Sequence, residues 1–130
     1  MTDEEEKTEI LMDHYRSPHN YGRIEGPTAQ LLEYNPVCGD AVQMFVKLKG
    51  NIVEDVKFIG RGCSISQGSA SMVTDLAKGK SVDEIMEITP QFLLDLIGLP
   101  LGPSREKCAL LPLNTLQKCL SKLNRENVNR

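Results

Sequence analysis

Apolar positions along the chain fall into two periodicities. The segment Ala41–Lys49 alternates, with Val42, Met44, Val46 and Leu48 on one parity, which predicts a half-buried strand. Ile52–Ile59 reads as a second strand, and Gly50 and Asn51 between them are turn residues. Residues that face one another across an antiparallel pair share a side of the sheet. Facing Met44 with Phe58 and Val46 with Val56 therefore fixes the register, and predicts a loop of about three or five residues around Gly50. Ala29–Tyr34 is expected as an edge strand.

Elsewhere the spacing is helical. Glu4–Arg16 carries Ile10, Leu11, His14 and Tyr15 at helical intervals, and "SPHNYG" ends it with Pro18, Asn20 and Gly22. Ser66–Lys78 places Ala70, Val73, Leu76 and Ala77 on one side and stops at Gly79. "SVDE" (81–84) is a capping box, and Thr89-Pro90 is a cap followed by Pro at the first helical position. After the loop "LPLGPS" (99–104), Ser104 is expected to cap a last helix reaching Leu123. Pro112 cannot donate to the carbonyl of Cys108, which predicts a kink or a restart. No repeat or low-complexity linker divides the 130 residues, so one domain spans 1–130, with fraying expected at 1–6 and 125–130.

Composition narrows the function classes. With no Trp and 5% aromatics, the core must be mostly aliphatic and a base-stacking surface is not expected. A net charge of −3 argues against a phosphate-backbone binder, so no nucleic-acid partner is expected. No apolar run approaches a membrane span, so no membrane partner is expected either. The acidic start "MTDEEEKTEI" is opposite in character to a presequence, and a cytoplasmic location is the expectation.

Four cysteines carry the candidate chemistry: Cys38, Cys63, Cys108 and Cys119. In a reducing compartment thiols serve metals or catalysis, or are simply small buried hydrophobes. Extending the hairpin register to its open end brings Cys38 nearly opposite Cys63. Cys38 and Asp40 are two apart, so in an extended segment their side chains point the same way. Gly39 between them leaves room for a metal near the backbone, and the glycines of "GRG" (60–62) allow a tight turn presenting Cys63. Cys108 is expected in a first helical turn, where the helix N-terminus, Arg105 and Lys107 would favour thiolate. Three thiolates and a carboxylate suit tetrahedral Zn²⁺, and the same thiolates can hold an iron–sulfur cluster. Asp is the harder, weaker ligand, which suits a cargo that must leave. The spacing matches no zinc-finger pattern and leaves buried structural thiols as an equal reading. Cys119 is read as core packing, as are Met44 and Met72. His14 is assigned to a packed helix face and His19 to a turn, rather than to a metal.

"NPVCGD" (35–40), "GRGCSISQGSASM" (60–72) and "REKCALL" (105–111), together with "DHYRSPHNYG" (13–22), resemble the IscU/SufU family, the NifU N-terminal domain. The resemblance implies an α/β (α+β) fold, a small three-stranded antiparallel sheet with helices on one face. It implies a site of Cys38, Asp40, Cys63 and Cys108, with Cys108 as persulfide acceptor and Lys107 supporting its thiolate. It implies a scaffold or carrier that accepts sulfur from a cysteine desulfurase, builds a transient [2Fe–2S] cluster and passes it to apo iron–sulfur acceptor proteins. A cluster shared by two protomers would complete the lopsided coordination. The alternative within the family is a SufU-like sulfurtransferase that holds Zn²⁺, takes persulfide and activates the desulfurase. A structural zinc module without a sulfur role is the third reading.

Branch markers are mixed. Lys107 stands where IscU-type scaffolds carry His, and "GCSIS" is SufU-like, yet the insertion that SufU-type members carry between the second and third cysteines is missing. "LPLGPS" departs from the LPPVK motif read by the Hsp70-type chaperone, so chaperone docking through that loop is not expected. Pro112 and Leu113 replace residues common after the third cysteine in SufU-like members, and the helix there is expected to be oriented differently.

Overall fold

A computed structural model describes residues 2–128, with side chains through Leu123. Its elements are α1 (Asp3–Arg16), β1 (Ala29–Asn35), β2 (Asp40–Lys49), β3 (Ile52–Arg61), α2 (Ser64–Ala77), α3 (Val82–Met86), α4 (Pro90–Ile97) and α5 (Pro103–Val128). The strands form one antiparallel sheet in the order β1-β2-β3. The expected α+β architecture is the one found. Helices α2 and α5 lie on the sheet, α1 packs on α2, and α3 and α4 pack on α5.

The register is the one the apolar pattern demanded: Met44 faces Phe58 and Val46 faces Val56. The loop is not. Lys49 faces Ile52 across the two-residue turn Gly50–Asn51, and a bulge opposite Lys47 and Leu48 absorbs the odd residue. The bulge has a physical reason in the sequence. Val53 and Val56 have opposite parity yet are both fully buried, which a regular strand cannot achieve.

The core is mostly aliphatic: Val42, Met44, Val46, Val53, Val56, Leu93, Ile97, Leu113, Leu116 and Leu120 lie between sheet and helices, with Phe58 as the aromatic among them. Cys119 belongs to this core, as expected, and burial pushes its thiol up to about 11. Both predicted caps are present, the Ser81–Glu84 capping box and Thr89 before Pro90. Helix α2 is buried almost all round rather than on one side, and its serines are satisfied locally. Ser69 Oγ, for example, donates to the Ala109 carbonyl at 2.6 Å, tying α2 to α5 beside Cys108.

Three expectations need correcting. Ser104 does not cap α5. The helix begins at Pro103, whose fixed φ and missing N–H suit a first turn. Helix α5 also runs through Pro112 without the restart that was one of the two expected outcomes, because the apolar face it buries outweighs the backbone bond lost there, about 3 kcal/mol. At the other end, residues 3–6 form the first turn of α1, with Thr2 Oγ1 accepting from the Glu5 N–H. Residues 1, 129 and 130, for which fraying was expected, lie outside the described residues, and α5 continues through 125–128. Among the described residues no helix is long and apolar enough to cross a membrane.

Candidate metal and sulfur site

Three chain segments converge at one end of the sheet. Residues 36–39 form the turn between β1 and β2. Gly39 takes φ +73° there, and its N–H donates to the Asn35 carbonyl at 2.8 Å. This left-handed turn gives the glycine a conformational role, and nothing lies within 4 Å of where its Cβ would stand. The turn carries Cys38, exposed, and delivers the chain to Asp40 at the start of β2. Cys38 is therefore not in an extended segment, but Cys38 Sγ still lies 3.2 Å from Asp40 Oδ2.

The second segment is the step from β3 into α2. Cys63, exposed, is the N-cap residue of α2. Its backbone N–H donates to Asp40 Oδ1 at 3.0 Å, and its Sγ lies 3.4 Å from Oδ2. Asp40 thus sits over the positive end of α2. The glycines of "GRG" serve close approach. A Cβ on Gly62, at φ +143°, would stand 2.1 Å from Asp40 Oδ1, and one on Gly60 would stand 2.5 Å from the Ala41 carbonyl oxygen.

The third segment is the second turn of α5. Cys108 is buried, and its Sγ lies 3.0 Å from Cys38 Sγ. Asn35 Nδ2 approaches the same sulfur at 3.8 Å. Asn35 is a site neighbour that residue chemistry did not single out, although it opens the "NPVCGD" motif; its Oδ1 also accepts from the Val37 N–H at 3.1 Å. Cys38, Asp40 and Cys108 each offer a ligand atom within 4.8 Å of the others, and Cys63 joins the group through Asp40.

Electrostatics reverse one expectation. Cys108 was expected to favour thiolate. Instead burial, then its contacts with Cys38 and Asp40 and the nearby Cys63, push its thiol far above the ordinary 9.0. Helix α5 also starts two residues earlier than expected, so Cys108 lies beyond the first turn, where the helix N-terminus helps a thiolate least. Arg105 and Lys107 are exposed, and among the described residues no hydrogen bond joins Lys107 to Cys108. Asp40 goes the other way. Burial alone would raise it, but hydrogen bonds from Cys38, the Cys63 backbone, Cys108 and the Cys63 thiol outweigh this and hold it below 3.8.

The donor set fits a soft or borderline metal: three sulfurs and one carboxylate from three segments, with no competing lysine in the cluster. Tetrahedral zinc at about 2.3 Å from each sulfur separates sulfurs by roughly 3.8 Å. The Cys38 and Cys108 sulfurs would part slightly to accept it, which the exposed turn carrying Cys38 permits.

The profile of the NifU-like N terminal domain matches residues 6–130. The chain is 36% identical over 131 residues to the zinc-dependent sulfurtransferase SufU of Bacillus subtilis, covering 88% of each. It is 33% identical over 117 residues to the iron-sulfur cluster assembly scaffold protein IscU 1 of Archaeoglobus fulgidus, covering 90% of this chain and 76% of that one. Among solved structures, a candidate iron-sulfur cluster assembly scaffold protein for the SUF system from Fervidobacterium islandicum AW-1 superposes with a TM-score of 0.75 at 30% identity. That match covers 86% of this chain and 94% of the other.

Proposed function

The chain belongs to the family of NifU-like N-terminal domains, and from that premise we propose that it is an iron–sulfur cluster assembly scaffold. It accepts sulfur from a cysteine desulfurase, assembles a transferable [2Fe–2S] cluster on Cys38, Asp40, Cys63 and Cys108, and delivers it to apo-proteins. The observation that carries this reading is the convergence of Cys38, Asp40 and Cys108 within 4.8 Å, with Cys63 held against the same carboxylate. Free thiols at the surface suit a reducing cytosol.

The sulfur step is thiol–persulfide exchange. The Cys108 thiolate attacks the outer sulfur of the desulfurase persulfide; a new S–S bond forms on Cys108, the old one breaks, and the desulfurase cysteine leaves as thiolate. Cys108 is buried and protonated in this arrangement, beneath the exposed Cys38. The turn at 36–39 must swing aside and a base must take the proton before Cys108 can act. Asp40 lies beside it, but its lowered pKa makes it a weak base and its charge disfavours the thiolate, so the proton leaves to solvent or to a group of the desulfurase once Cys108 is exposed. Lys107, at the surface on the preceding position, supports the thiolate once it is exposed.

A second reading is favoured by the similarity to SufU of Bacillus subtilis and by a donor set that also suits zinc. Here Cys38, Asp40, Cys63 and Cys108 hold Zn²⁺, which keeps the thiols deprotonated when bound, and the protein hands persulfide onward as a desulfurase activator. Anaerobic reconstitution with a cysteine desulfurase, cysteine and ferrous iron separates the readings. A stable thiolate-to-iron chromophore that later passes to an apo-ferredoxin supports the scaffold. A colourless zinc protein that accelerates the desulfurase and takes persulfide on Cys108 supports the sulfurtransferase and overturns the scaffold. A zinc protein that takes no sulfur overturns both.

A further inference from the structure

On the flank of the molecule, His14 in the last turn of α1, His19 in the turn after it, and Asp75 in the last turn of α2 offer ligand atoms within 4.8 Å of one another. Asp75 lies twelve positions after Cys63 on the same helix, about 18 Å along its axis. The cluster is therefore separate from the cysteines. We propose that His14, His19 and Asp75 form a second divalent-metal site, of the imidazole-preferring class that includes Zn²⁺, with its remaining positions open to water.

Positions expected to serve packing and turn formation are built as a cradle. The two imidazole rings are 4.5 Å apart between centroids, tilted by 53°. His14 Nδ1 lies 2.7 Å from Ser71 Oγ, a bond that fixes the ring and leaves its other nitrogen for an ion. The same Ser71 Oγ accepts from the His19 backbone N–H at 2.8 Å, so one buried hydroxyl anchors both histidines. His19 Nδ1 contacts Asp75 Oδ2, and an ion takes the place of the proton in that contact. Asn20 Nδ2 holds the other oxygen, Asp75 Oδ1, at 3.0 Å.

The backbone is fixed as well. Asn20 takes φ +57°, a left-handed conformation stabilised because its carbonyl accepts from the Phe58 N–H at 3.0 Å. This aims His19 back at α2. Lys78 is engaged by Asp55 and donates to Asn20 Oδ1, each at 3.3 Å, rather than pairing with Asp75. Two imidazoles and one carboxylate favour zinc, nickel or copper over calcium or magnesium, which prefer all-oxygen sets. Tetrahedral or octahedral binding at about 2.0–2.2 Å separates neighbouring donors by roughly 3–3.5 Å, so His19 Nδ1 and Asp75 Oδ2 would part to admit the ion while His14 closes on it, movements that the exposed His19 and Asp75 side chains can make.

Cobalt(II), titrated into the full-length reduced protein, tests this because thiolate and imidazole sites absorb differently. The expected result is a first equivalent with intense thiolate-to-cobalt absorption and a second with weak d–d bands only. His19→Ala and Asp75→Asn should each remove the second equivalent and keep the first, with circular dichroism unchanged. Cys38→Ser should weaken the thiolate absorption and keep the second equivalent. Saturation of the wild-type protein by the thiolate equivalent alone overturns the proposal, as does a second equivalent that survives in both His19→Ala and Asp75→Asn.

Discussion

Cys38 Sγ lies 3.0 Å from Cys108 Sγ, although the two residues are 70 apart in the chain. Both are free thiols, one exposed and one buried beneath it. This pairing predicts which cysteines respond first to oxidation. Diamide treatment of the metal-free protein should join Cys38 to Cys108 and leave Cys63 and Cys119 reduced, as peptide mass mapping would reveal. A dominant Cys38–Cys63 bridge would mean that the turn at 36–39 samples another position.

Cys108→Ser should abolish stable persulfide loading by the desulfurase, while Cys119→Ala should leave loading at the wild-type level. Cys119 is 1% exposed and has only a packing role. Cys119→Ser should cost about 1–3 kcal/mol in urea denaturation, because it buries a hydroxyl in an apolar setting. Undiminished loading of Cys108→Ser would remove Cys108 from the acceptor role.

Asp40→Ala should slow the loss of a reconstituted cluster several-fold, since the weakest and most exchangeable ligand position is removed. The decay of visible absorbance after adding a chelator measures this. Faster bleaching than wild type would show that Asp40 retains the cluster rather than releasing it.

Gly62→Ala should damage the site from behind. The added Cβ would meet Asp40 Oδ1 at 2.1 Å, and φ +143° is strained for any side chain. A loss of about 1–3 kcal/mol in stability is expected, together with reduced metal content by elemental analysis. Gly102→Ala is the control, since nothing lies within 4 Å of a Cβ there.

Acid should weaken the metal-free protein partly through Asp40. Its carboxyl is held below the ordinary 3.8 in the folded state. Its contribution is therefore complete above the ordinary carboxylate range, and is lost as pH falls through the depressed folded value. Asp40→Asn, followed by thermal melts between neutral pH and about pH 3, should flatten the acid limb. An unchanged acid limb would show that Asp40 gains nothing from its hydrogen bonds on folding.

How far the sequence could be read depended on what kind of force set each feature. Alternation at Met44, Val46, Val56 and Phe58 determined register, because burying one face leaves a single alignment. The same alternation could not choose between a longer loop and a tight turn with a bulge; only the parity of Val53 distinguishes them. Caps at Ser81 and Thr89 were legible since they depend on adjacent residues. The restart at Pro112 did not occur because local propensity yields to a long buried face. At the site, residue types and order pointed to Cys38, Asp40, Cys63 and Cys108. The ionisation of Cys108 was not legible, since it depends on Cys38 and Asp40 arriving from segments far away in sequence.

The three thiols beside Asp40 come from a hairpin turn, a helix cap and the second turn of the last helix. During synthesis, Cys38 and Cys63 leave the ribosome long before Cys108 exists. An ion that needs all three sulfurs cannot be captured by a partly made chain, nor retained by a proteolytic fragment that lacks α5. An ion bound through all three sulfurs would therefore report that α5 has been made and has folded back onto the sheet.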